Sequence, residues 1–240
     1  MSYDFSKFSS ILEQWQIPFS EKQREQLTVY YEMLVEKNKV MNLTAITEFE
    51  DVLEKHFLDS IAVARYVDLT GELCVIDLGT GAGFPGMPLK IMFPNMKITL
   101  ADSLNKRILF LNEVVDALKL EGVTTVHGRA EDLAADPNYR EQYDYCVSRA
   151  VANLSTLSEY CLPFVKKGGM FISYKSEKIA EEAVEAKKSI TILGGKVNRQ
   201  IELYLPNSDI YRNLFIIDKI SKCPNKYPRK AGLPSKEPLR

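Results

Sequence analysis

An apolar segment that runs directly into a glycine-rich turn limits what this chain can fold into more than any other feature. Residues 73–78 are apolar except for Asp77, which is typical of a strand buried on both faces of a parallel sheet. Four glycines follow at positions 79–86, and the apolar spacing of residues 87–93 suits a helix. A strand, a glycine turn and a helix let the backbone approach a ligand closely at a helix N-terminus. The sequence therefore predicts a turn that binds a nucleotide-like cofactor.

The glycine spacing fits two classes of cofactor site. Residues 81–86 follow the dinucleotide pattern G-x-G-x-x-G, and Asp102 lies about 20 residues further on, where a ribose-binding acid is expected. Residues 77–83 instead form an acidic residue followed by G-x-G-x-G, which resembles motif I of the class I S-adenosylmethionine-dependent methyltransferases. Spacing alone leaves both classes open. Under the second, the candidate cofactor-binding residues of the turn are Asp77, Gly79, Gly81 and Gly83.

The composition is that of an ordinary soluble protein. The chain has 240 residues, of which 45% are hydrophobic and 26% are charged, as expected for one domain with an appendage. No apolar run is long enough to span a membrane, and the first residues lack signal-peptide character. The four cysteines are scattered and form no C-x-x-C pair. We therefore expect a cytoplasmic protein with reduced thiols, no metal ion and no membrane contact.

Charge is distributed unevenly along the chain, although the net charge is only −1. Residues 1–72 contain thirteen acids and seven bases, whereas residues 219–240 contain seven bases and one acid. Four prolines lie in the latter stretch, so we expect it to be extended rather than helical. A basic, proline-spaced strip suits contact with phosphate groups, but a solvated tail explains the charge equally well. The candidate contact residues are Lys226, Arg229, Lys230 and Lys236.

The predicted elements divide the chain into three parts, which are a helical extension at residues 1–72, a cofactor-binding domain at 73–220 and the basic segment at 221–240. In the first part, Ser20 and Gln23 form a capping-box pattern at the start of a long helix. Helices are predicted within 5–12 and at 21–39, 48–56, 59–67, 86–93, 106–120, 154–165 and 179–193. Strands are predicted at 73–78, 97–101, 124–127, 143–147, 169–174, 196–203 and 213–220.

Strands and helices alternate after residue 73, which is typical of an α/β fold with a doubly wound parallel sheet. No helix separates the last two predicted strands, so these should pair antiparallel. We therefore predict a Rossmann-like, seven-stranded, mainly parallel sheet with an antiparallel last strand, helices on both faces and a helical extension at the N-terminus. Such a sheet resembles the methyltransferase sheet more than the usual dinucleotide-binding sheet.

Ligands of such sheets bind beyond the carboxyl ends of the strands, and polar residues follow three of the predicted strands. Asp102 can accept hydrogen bonds from both ribose hydroxyls or can cap the next helix. Ala130 and Glu131 offer an amide and a carboxylate to an adenine edge, although Glu131 also suits the first turn of a helix. Arg149 can hold a methionine carboxylate bidentately or contact an RNA phosphate.

Motifs along nearly the whole chain resemble those of one family, the bacterial 16S rRNA guanine-N7 methyltransferases, also called glucose-inhibited division protein B. These motifs are residues 42–46 (NLTAI), 56–60 (HFLDS), 77–86 (DLGTGAGFPG), 128–131 (GRAE), 148–150 (SRA) and 227–238 (YPRKAGLPSKEP). The resemblance implies methyl transfer from S-adenosylmethionine to N7 of one guanine in 16S rRNA, either free or in the small ribosomal subunit. We expect a monomer whose basic strip binds RNA. The implied cofactor contacts are Gly79, Phe84, Asp102, Ser103, Leu104, Ala130, Glu131 and Arg149.

The residues agree with that reaction because no acid–base pair or nucleophile is evident. Positions 148–151 (SRAV) lack the Asn/Asp-Pro-Pro-aromatic motif of enzymes that methylate exocyclic amines. Cys146 and Cys161 lie inside predicted elements, so neither is placed as a nucleophile. Guanine N7 has a lone pair and no proton to lose, so its attack on a methyl group needs positioning rather than a base. We assign no catalytic residue. His56 suits a local contact with Asp59 or a place near the pocket equally well.

Two other classes of function stay open from the residues. A nicotinamide-dependent oxidoreductase is compatible with the pattern at 81–86, and NAD rather than S-adenosylmethionine would then protect the protein against thermal unfolding. A non-catalytic RNA-binding or cofactor-sensing protein would bind S-adenosylmethionine and RNA without transferring a methyl group. For a methyltransferase, the target guanine should lie in a loop or be extruded, because N7 points into the deep groove of A-form RNA.

Overall fold

Seven β-strands form one sheet at the centre of the computed structural model, which describes residues 3–149, 152–176 and 179–239. The strands are β1 (Cys74–Leu78), β2 (Lys97–Asp102), β3 (Val123–His127), β4 (Tyr143–Arg149), β5 (Val165–Lys175), β6 (Gly195–Tyr204) and β7 (Tyr211–Lys219). Their order across the sheet is β3-β2-β1-β4-β5-β7-β6, and β7 runs antiparallel to both of its neighbours. The predicted Rossmann-like sheet with an antiparallel last strand is confirmed.

Strand β1 lies between β2 and β4, at the point where the chain reverses its direction of progress across the sheet. From β1 the chain continues outward through β2 and β3, and it then returns to β4 on the other side. Asp77 of β1 pairs with Leu100 of β2 and with Val147 of β4. The carboxyl ends of these three strands therefore lie side by side, at the kind of reversal where open α/β sheets bind ligands.

Two apolar cores lie on opposite faces of the sheet because successive side chains of a strand alternate between faces. Val75 of β1 belongs to the first core, and the next residue, Ile76, belongs to the second. The first core also contains Tyr30 and Phe57 from the N-terminal helices. These helices therefore share their core with the sheet.

Ten α-helical segments accompany the described strands. They are α1 (Ser6–Gln14), α2 (Glu21–Met41), α3 (Phe49–Val52), α4 (Asp59–Ile61), α5 (Gly86–Met92), α6 (Asn105–Leu118), α7 (Ala130–Leu133), α8 (Leu154–Cys161), α9 (Ala180–Ile192) and α10 (Leu233–Lys236). Helix α2 begins with the predicted capping box, in which the Gln23 backbone N–H donates to Ser20 Oγ over 3.3 Å. In the described part of the chain, no helix combines the length and hydropathy that a membrane span requires.

Helices α3 and α4 belong to one continuous helical run from Phe49 to Arg65. A π-helical turn at Leu53–Leu58 joins them, and a 3₁₀ turn at Ala62–Arg65 ends the run. The helical segments predicted at 48–56 and 59–67 thus form one run, with the buried apolar residues Phe57 and Leu58 between them. Single π turns inside helices are frequent at functional sites.

The C-terminal segment is partly helical and packs against the body of the protein. The prediction of an extended segment was wrong for Leu233–Lys236, where Pro234 lies in the first turn of α10 and needs no N–H donor there. Thr156 Oγ1 of α8 donates to the Pro234 carbonyl over 3.1 Å. The Arg140 guanidinium donates to the carbonyls of Cys223, Pro224 and Tyr227. These contacts fix the path of the segment along the protein surface.

Candidate cofactor site

A cavity of about 440 Å³ opens at the carboxyl ends of β1 and β2, where the topology places a ligand. Its volume lies within the usual range of small-ligand pockets. The predicted residues that line it are Gly79, Gly81, Phe84, Asp102, Ser103 and Arg149. The remaining lining residues are Leu43, Thr44, His56, Thr80, Ala82 and Arg107, of which Thr80 and Ala82 belong to the predicted glycine turn. Leu43, Thr44 and His56 lie within the motifs at 42–46 and 56–60, which are the sequence signal that could have identified them.

Asp77 forms hydrogen bonds to the glycine turn and does not line the cavity. Its Oδ2 accepts hydrogen bonds from Thr80 Oγ1 at 2.7 Å and from the Gly86 backbone N–H at 2.8 Å. The side chain is fully buried, and this burial raises the pKa of Asp77 to about 6, although both hydrogen bonds and the Arg149 charge favour ionisation. The acid before the glycines therefore shapes the turn, and its predicted contact with a cofactor stays a prediction.

Two glycines of the turn are required for different reasons. Both have positive φ angles, which are +63° at Gly81 and +108° at Gly83. A Cβ atom at Gly83 would lie 2.6 Å from both Met87 Cγ and the Tyr30 hydroxyl oxygen, so this glycine permits close packing. A Cβ atom at Gly81 would meet no atom within 4 Å, so this position faces open space at the cavity. Of these two glycines, only Gly81 has the exposure expected of backbone that approaches a ligand.

Asp102 lies at the rim of the cavity and is almost fully buried. Its Oδ2 accepts from the Gly81 backbone N–H at 2.9 Å, and its Oδ1 accepts from the Leu104 backbone N–H at 2.9 Å. Arg107 Nη1 donates to Oδ2 at 3.1 Å. The same Arg107 nitrogen also lies 3.5 Å from Oδ1, so Oδ1 has one short and one long hydrogen bond and can exchange the long one for a ligand hydroxyl. Asp102 thus ties the glycine turn to the start of α6, and its predicted ribose contact is compatible with this geometry.

One wall of the cavity is formed by three stacked side chains from different elements, and we call His56, Phe84 and Arg149 the partition. The His56 ring stacks on the Phe84 ring with 4.5 Å between centroids and 20° between planes. The Arg149 guanidinium lies 5.0 Å from the Phe84 centroid and donates from Nη2 to His56 Nδ1 over 3.2 Å. Sequence left two readings for His56, and the structure places it at the pocket rather than in contact with Asp59.

A second cavity of about 250 Å³ lies on the other side of the partition. Its polar lining includes Asp59, which is 3% exposed and accepts from two arginines. Arg149 Nη1 donates to Asp59 Oδ2 at 2.9 Å, and Arg212 Nε donates to Asp59 Oδ1 at 2.8 Å. Lys175 also lines this cavity, and its Nζ donates to Glu182 over 2.7 Å. His56 and Arg149 line both cavities, so the two spaces adjoin at the partition.

Three further predicted contacts lie outside the lining of the first cavity, which does not include Leu104, Ala130 or Glu131. The Leu104 side chain is 43% exposed. The carboxylate of the buried Glu131 accepts a hydrogen bond from the Gly232 backbone N–H at 2.8 Å, so it also holds the C-terminal segment. The ligand contacts of these three residues stay predictions. Ala150, in the motif at 148–150, lies outside the described residues.

The four basic residues predicted to contact phosphate divide into two groups. Lys226, Lys230 and Lys236 are exposed. Arg229 instead donates from Nε and Nη2 to the carboxylate of Glu159, which is buried, and the Nη2–Oε2 distance is 2.8 Å. The hydrogen bond to Glu159 raises the pKa of Arg229 above its usual value. Arg229 is therefore an internal anchor of the C-terminal segment, which presents the three lysines to solvent.

Comparison with known proteins gives one consistent result. The family model described as "GidB: rRNA small subunit methyltransferase G" matches residues 23–210. A ribosomal RNA small subunit methyltransferase G of Alkaliphilus metalliredigens is 54% identical over 220 residues, which cover 92% of each chain. That of Staphylococcus saprophyticus is 56% identical over 223 residues, or 93% of each chain. The crystal structure of a SAM-dependent methyltransferase from Aquifex aeolicus aligns with a TM-score of 0.54 and 20% identity over 71% of this chain and 93% of that one, a likeness of fold alone.

Proposed function

The chain belongs to the family of rRNA small subunit methyltransferase G, and we propose that it transfers a methyl group from S-adenosylmethionine to N7 of a guanine in 16S rRNA. The observation that carries this proposal is the pair of adjoining cavities that share His56 and Arg149. One cavity has the glycine turn and the carboxylate expected for the cofactor. The other has arginine and lysine side chains suited to a nucleotide. A methyl donor and its acceptor can therefore lie on either side of one partition.

The first cavity suits S-adenosylmethionine because it offers a carboxylate acceptor and open space beside the glycine backbone. Gly81 leaves room for a ligand against the backbone, and Asp102 accepts hydrogen bonds at the rim. Ser103 follows Asp102 in the lining. S-adenosylmethionine supplies an electrophilic methyl group on a sulfonium sulfur when it is bound. The contribution of this chain is to hold the turn rigidly, through Asp77, so that a ligand is positioned without a general base.

The second cavity suits the nucleotide that accepts the methyl group. Arg149 and Arg212 together carry two positive charges, and Asp59 between them balances one, so this group keeps one positive charge. Such a site favours a phosphate or the O6 atom of a guanine, to which arginine donates, while N7 stays free to attack the methyl group. We assign these residues to holding the target nucleotide. No residue of either cavity has to remove a proton, because N7 carries none.

We further propose that the exposed lysines of the C-terminal segment bind the rRNA backbone. Support comes from their exposure and from the Arg229–Glu159 pair that fixes the segment. Reversing the charge of Lys226, Lys230 and Lys236 together should weaken RNA binding and reduce its salt dependence, because each lost phosphate contact lowers the salt slope by roughly one. Filter binding or fluorescence anisotropy across a salt series measures this slope.

The matched control reverses three other exposed lysines, which are Lys167, Lys187 and Lys188. Lys167 lies near the amino end of β5, at the edge of the sheet opposite the cavities. The control changes the net charge by the same amount and should leave the salt slope of RNA binding near its wild-type value. Equal losses in the two triple variants would show that net charge, rather than the C-terminal segment, sets RNA affinity.

Methyl transfer itself is tested with tritiated S-adenosylmethionine, offered with 16S rRNA, with small ribosomal subunits and with 23S rRNA as a control substrate. We expect label in 16S rRNA or the small subunit, at a single guanine whose N7 methylation makes the chain cleavable at that position by mild reduction and aniline. Protection against thermal unfolding by NAD but not by S-adenosylmethionine would refute the proposal in favour of an oxidoreductase. Binding of cofactor and RNA without transfer of label would indicate a non-catalytic protein.

We also propose that the enzyme works in the cytoplasm, where bacterial ribosomal subunits assemble, because its substrate is rRNA. We propose further that it is a monomer and uses no metal ion. In the described residues, no group of three or more histidine, cysteine, aspartate or glutamate side chains is arranged to hold a metal ion. Sedimentation of the purified protein, and transfer assays in the presence of a chelator, test the last two statements.

A further inference from the structure

His56 and Arg149 are the two residues of the partition that line both cavities, and His56 makes polar contacts through both of its ring nitrogens. The residue lies in the π-helical turn Leu53–Leu58, and its ring lines the first and the second cavity. Its Nε2 lies 2.9 Å from Thr44 Oγ1, in the loop after α2. Its Nδ1 accepts from Arg149 Nη2 at the end of β4. The imidazole therefore connects three separate elements at the boundary between the cavities.

The partners of the ring determine where its proton lies. A guanidinium has N–H donors and no acceptor, so Nδ1 must be unprotonated to accept from Arg149. The single proton of the neutral ring is then on Nε2 and is donated to Thr44 Oγ1. The same hydroxyl oxygen accepts from the Ile46 backbone N–H at 3.0 Å. The hydrogen bonds thus run in one direction, from Arg149 to His56 to Thr44.

The surroundings keep this ring neutral. Burial, followed by the positive charge of Arg149, lowers the pKa of His56 to about 3, against the opposing effect of a hydrogen bond with the Lys55 backbone. The charges of Arg212 and Lys55 also lower this pKa. Asp59, which lies three positions after His56 in the same helical run, is already bonded to Arg149 and Arg212. An ionised imidazole would also lose the hydrogen bond that Nδ1 accepts. His56 is therefore an acceptor for Arg149 throughout the physiological pH range.

We propose that His56 is a positioning residue for methyl transfer, which fixes the plane of the Arg149 guanidinium between the cofactor and the target nucleotide. This inference rests on the proposed function. Without the Nδ1 acceptor, Arg149 keeps its Nη1 bonds to Asp59 and to the Lys55 carbonyl but loses the bond that fixes Nη2. The guanidinium can then rotate toward either cavity. Misplacement of a positioning group by about 1 Å can lower a rate by roughly a hundredfold.

Two substitutions separate the hydrogen bond from the packing of the ring. His56→Asn places an oxygen near the position of Nδ1, so it can accept from Arg149 but cannot stack fully on Phe84. His56→Phe keeps an aromatic ring on Phe84 and removes the acceptor. We expect His56→Phe to lower the single-turnover methyl-transfer rate roughly tenfold or more, and His56→Asn to retain it within about threefold of wild type. If the ring only fills space, His56→Asn should lose more activity than His56→Phe. That result, or equal losses of activity in the two variants, would overturn the proposal.

The hydrogen bonds are tested independently of activity by nitrogen-15 NMR of the imidazole rings. The chain has only two histidines, so His127→Gln assigns the spectrum. We expect His56 to show the Nε2–H tautomer, to remain untitrated from about pH 5 to 8, and to change its Nδ1 shift in Arg149→Met. Titration near its ordinary pKa, or an Nδ1–H tautomer, would overturn the inference. Absence of methyl transfer by the wild-type protein would refute the proposed function while leaving this spectrum as a test of the contact.

Discussion

Replacing Asp77 with asparagine tests whether a buried charge under the glycine turn limits the stability of the fold. The side chain is fully buried, and its Oδ1 has no hydrogen-bond partner in the described part of the chain. Burial raises its pKa from 3.8 to about 6. Asparagine keeps an oxygen that accepts from the Gly86 backbone N–H, which Asp77 Oδ2 does at 2.8 Å. The substitution therefore removes the charge and preserves the contact that shapes the turn.

The sign and size of the change in unfolding free energy follow from the pKa of Asp77 in the unfolded chain, 3.8, and in the folded chain, about 6. Below about pH 3.8 the carboxyl group is protonated in both the folded and the unfolded chain, so its titration leaves stability unchanged. As the pH rises toward 6, the unfolded chain releases a proton that the folded chain retains, and the free energy of unfolding falls. At higher pH the carboxyl group is ionised in both states, so the loss in the free energy of unfolding stays constant. A shift of about 2 units corresponds to about 3 kcal/mol, of which about 2 kcal/mol arise between about pH 4.5 and 7.5.

Urea unfolding of the wild type and of Asp77→Asn, at about pH 4.5 and 7.5, measures this quantity. Other titrating groups affect both proteins alike, so they cancel in the difference between the two free energies of unfolding. That difference should shift in favour of asparagine by about 2 kcal/mol as the pH rises. The same substitution at the exposed Asp209 serves as the matched control and should show a much smaller change. A pH-independent difference for Asp77, or a shift in favour of aspartate, would refute the reasoning.

Two further predictions concern the turn and the C-terminal anchor. Gly83→Ala should destabilise the fold by about 2–4 kcal/mol, because its Cβ would lie 2.6 Å from two side-chain atoms, whereas Gly81→Ala should cost only about 1 kcal/mol in urea unfolding. Gly81→Ala should instead weaken S-adenosylmethionine binding, measured by calorimetry. Equal losses of stability in the two variants would contradict the separate roles assigned to the two glycines. Arg229→Met should cost about 3–5 kcal/mol in urea unfolding, because the buried Glu159 carboxylate keeps only the backbone N–H of residue 229 and loses its compensating charge. Adding Glu159→Gln should recover most of the loss, and an unchanged stability of Arg229→Met would contradict the anchoring role.

The sheet was predictable from local sequence because its strands and its glycine turn each carry their own signal. Apolar runs of strand length, separated by segments with helical periodicity, predict a fold in which strands and helices alternate. The absence of a helix between the last two strands predicts that they pair antiparallel. The error occurred where tertiary contacts override local preference. Leu233–Lys236 forms a helical turn that contains Pro234, in a segment predicted to be extended. This result does not follow from residue type alone.

The candidate site was only half predictable, and Arg149 shows why. Sequence placed this residue at the end of β4 and assigned its guanidinium to a cofactor carboxylate or an RNA phosphate. Its observed partners, Asp59 and His56, lie 90 and 93 positions away in the chain, so no local pattern could reveal them. In the described part of the chain, these two side chains and the Lys55 carbonyl use three of the five N–H donors of the guanidinium. Two donors remain, enough for one bidentate ligand but not for two, so Arg149 can hold either the cofactor or the RNA bidentately and not both. If it contacts both ligands at once, each receives a single hydrogen bond. The internal partners of Arg149 therefore limit the two sequence-based assignments to these arrangements.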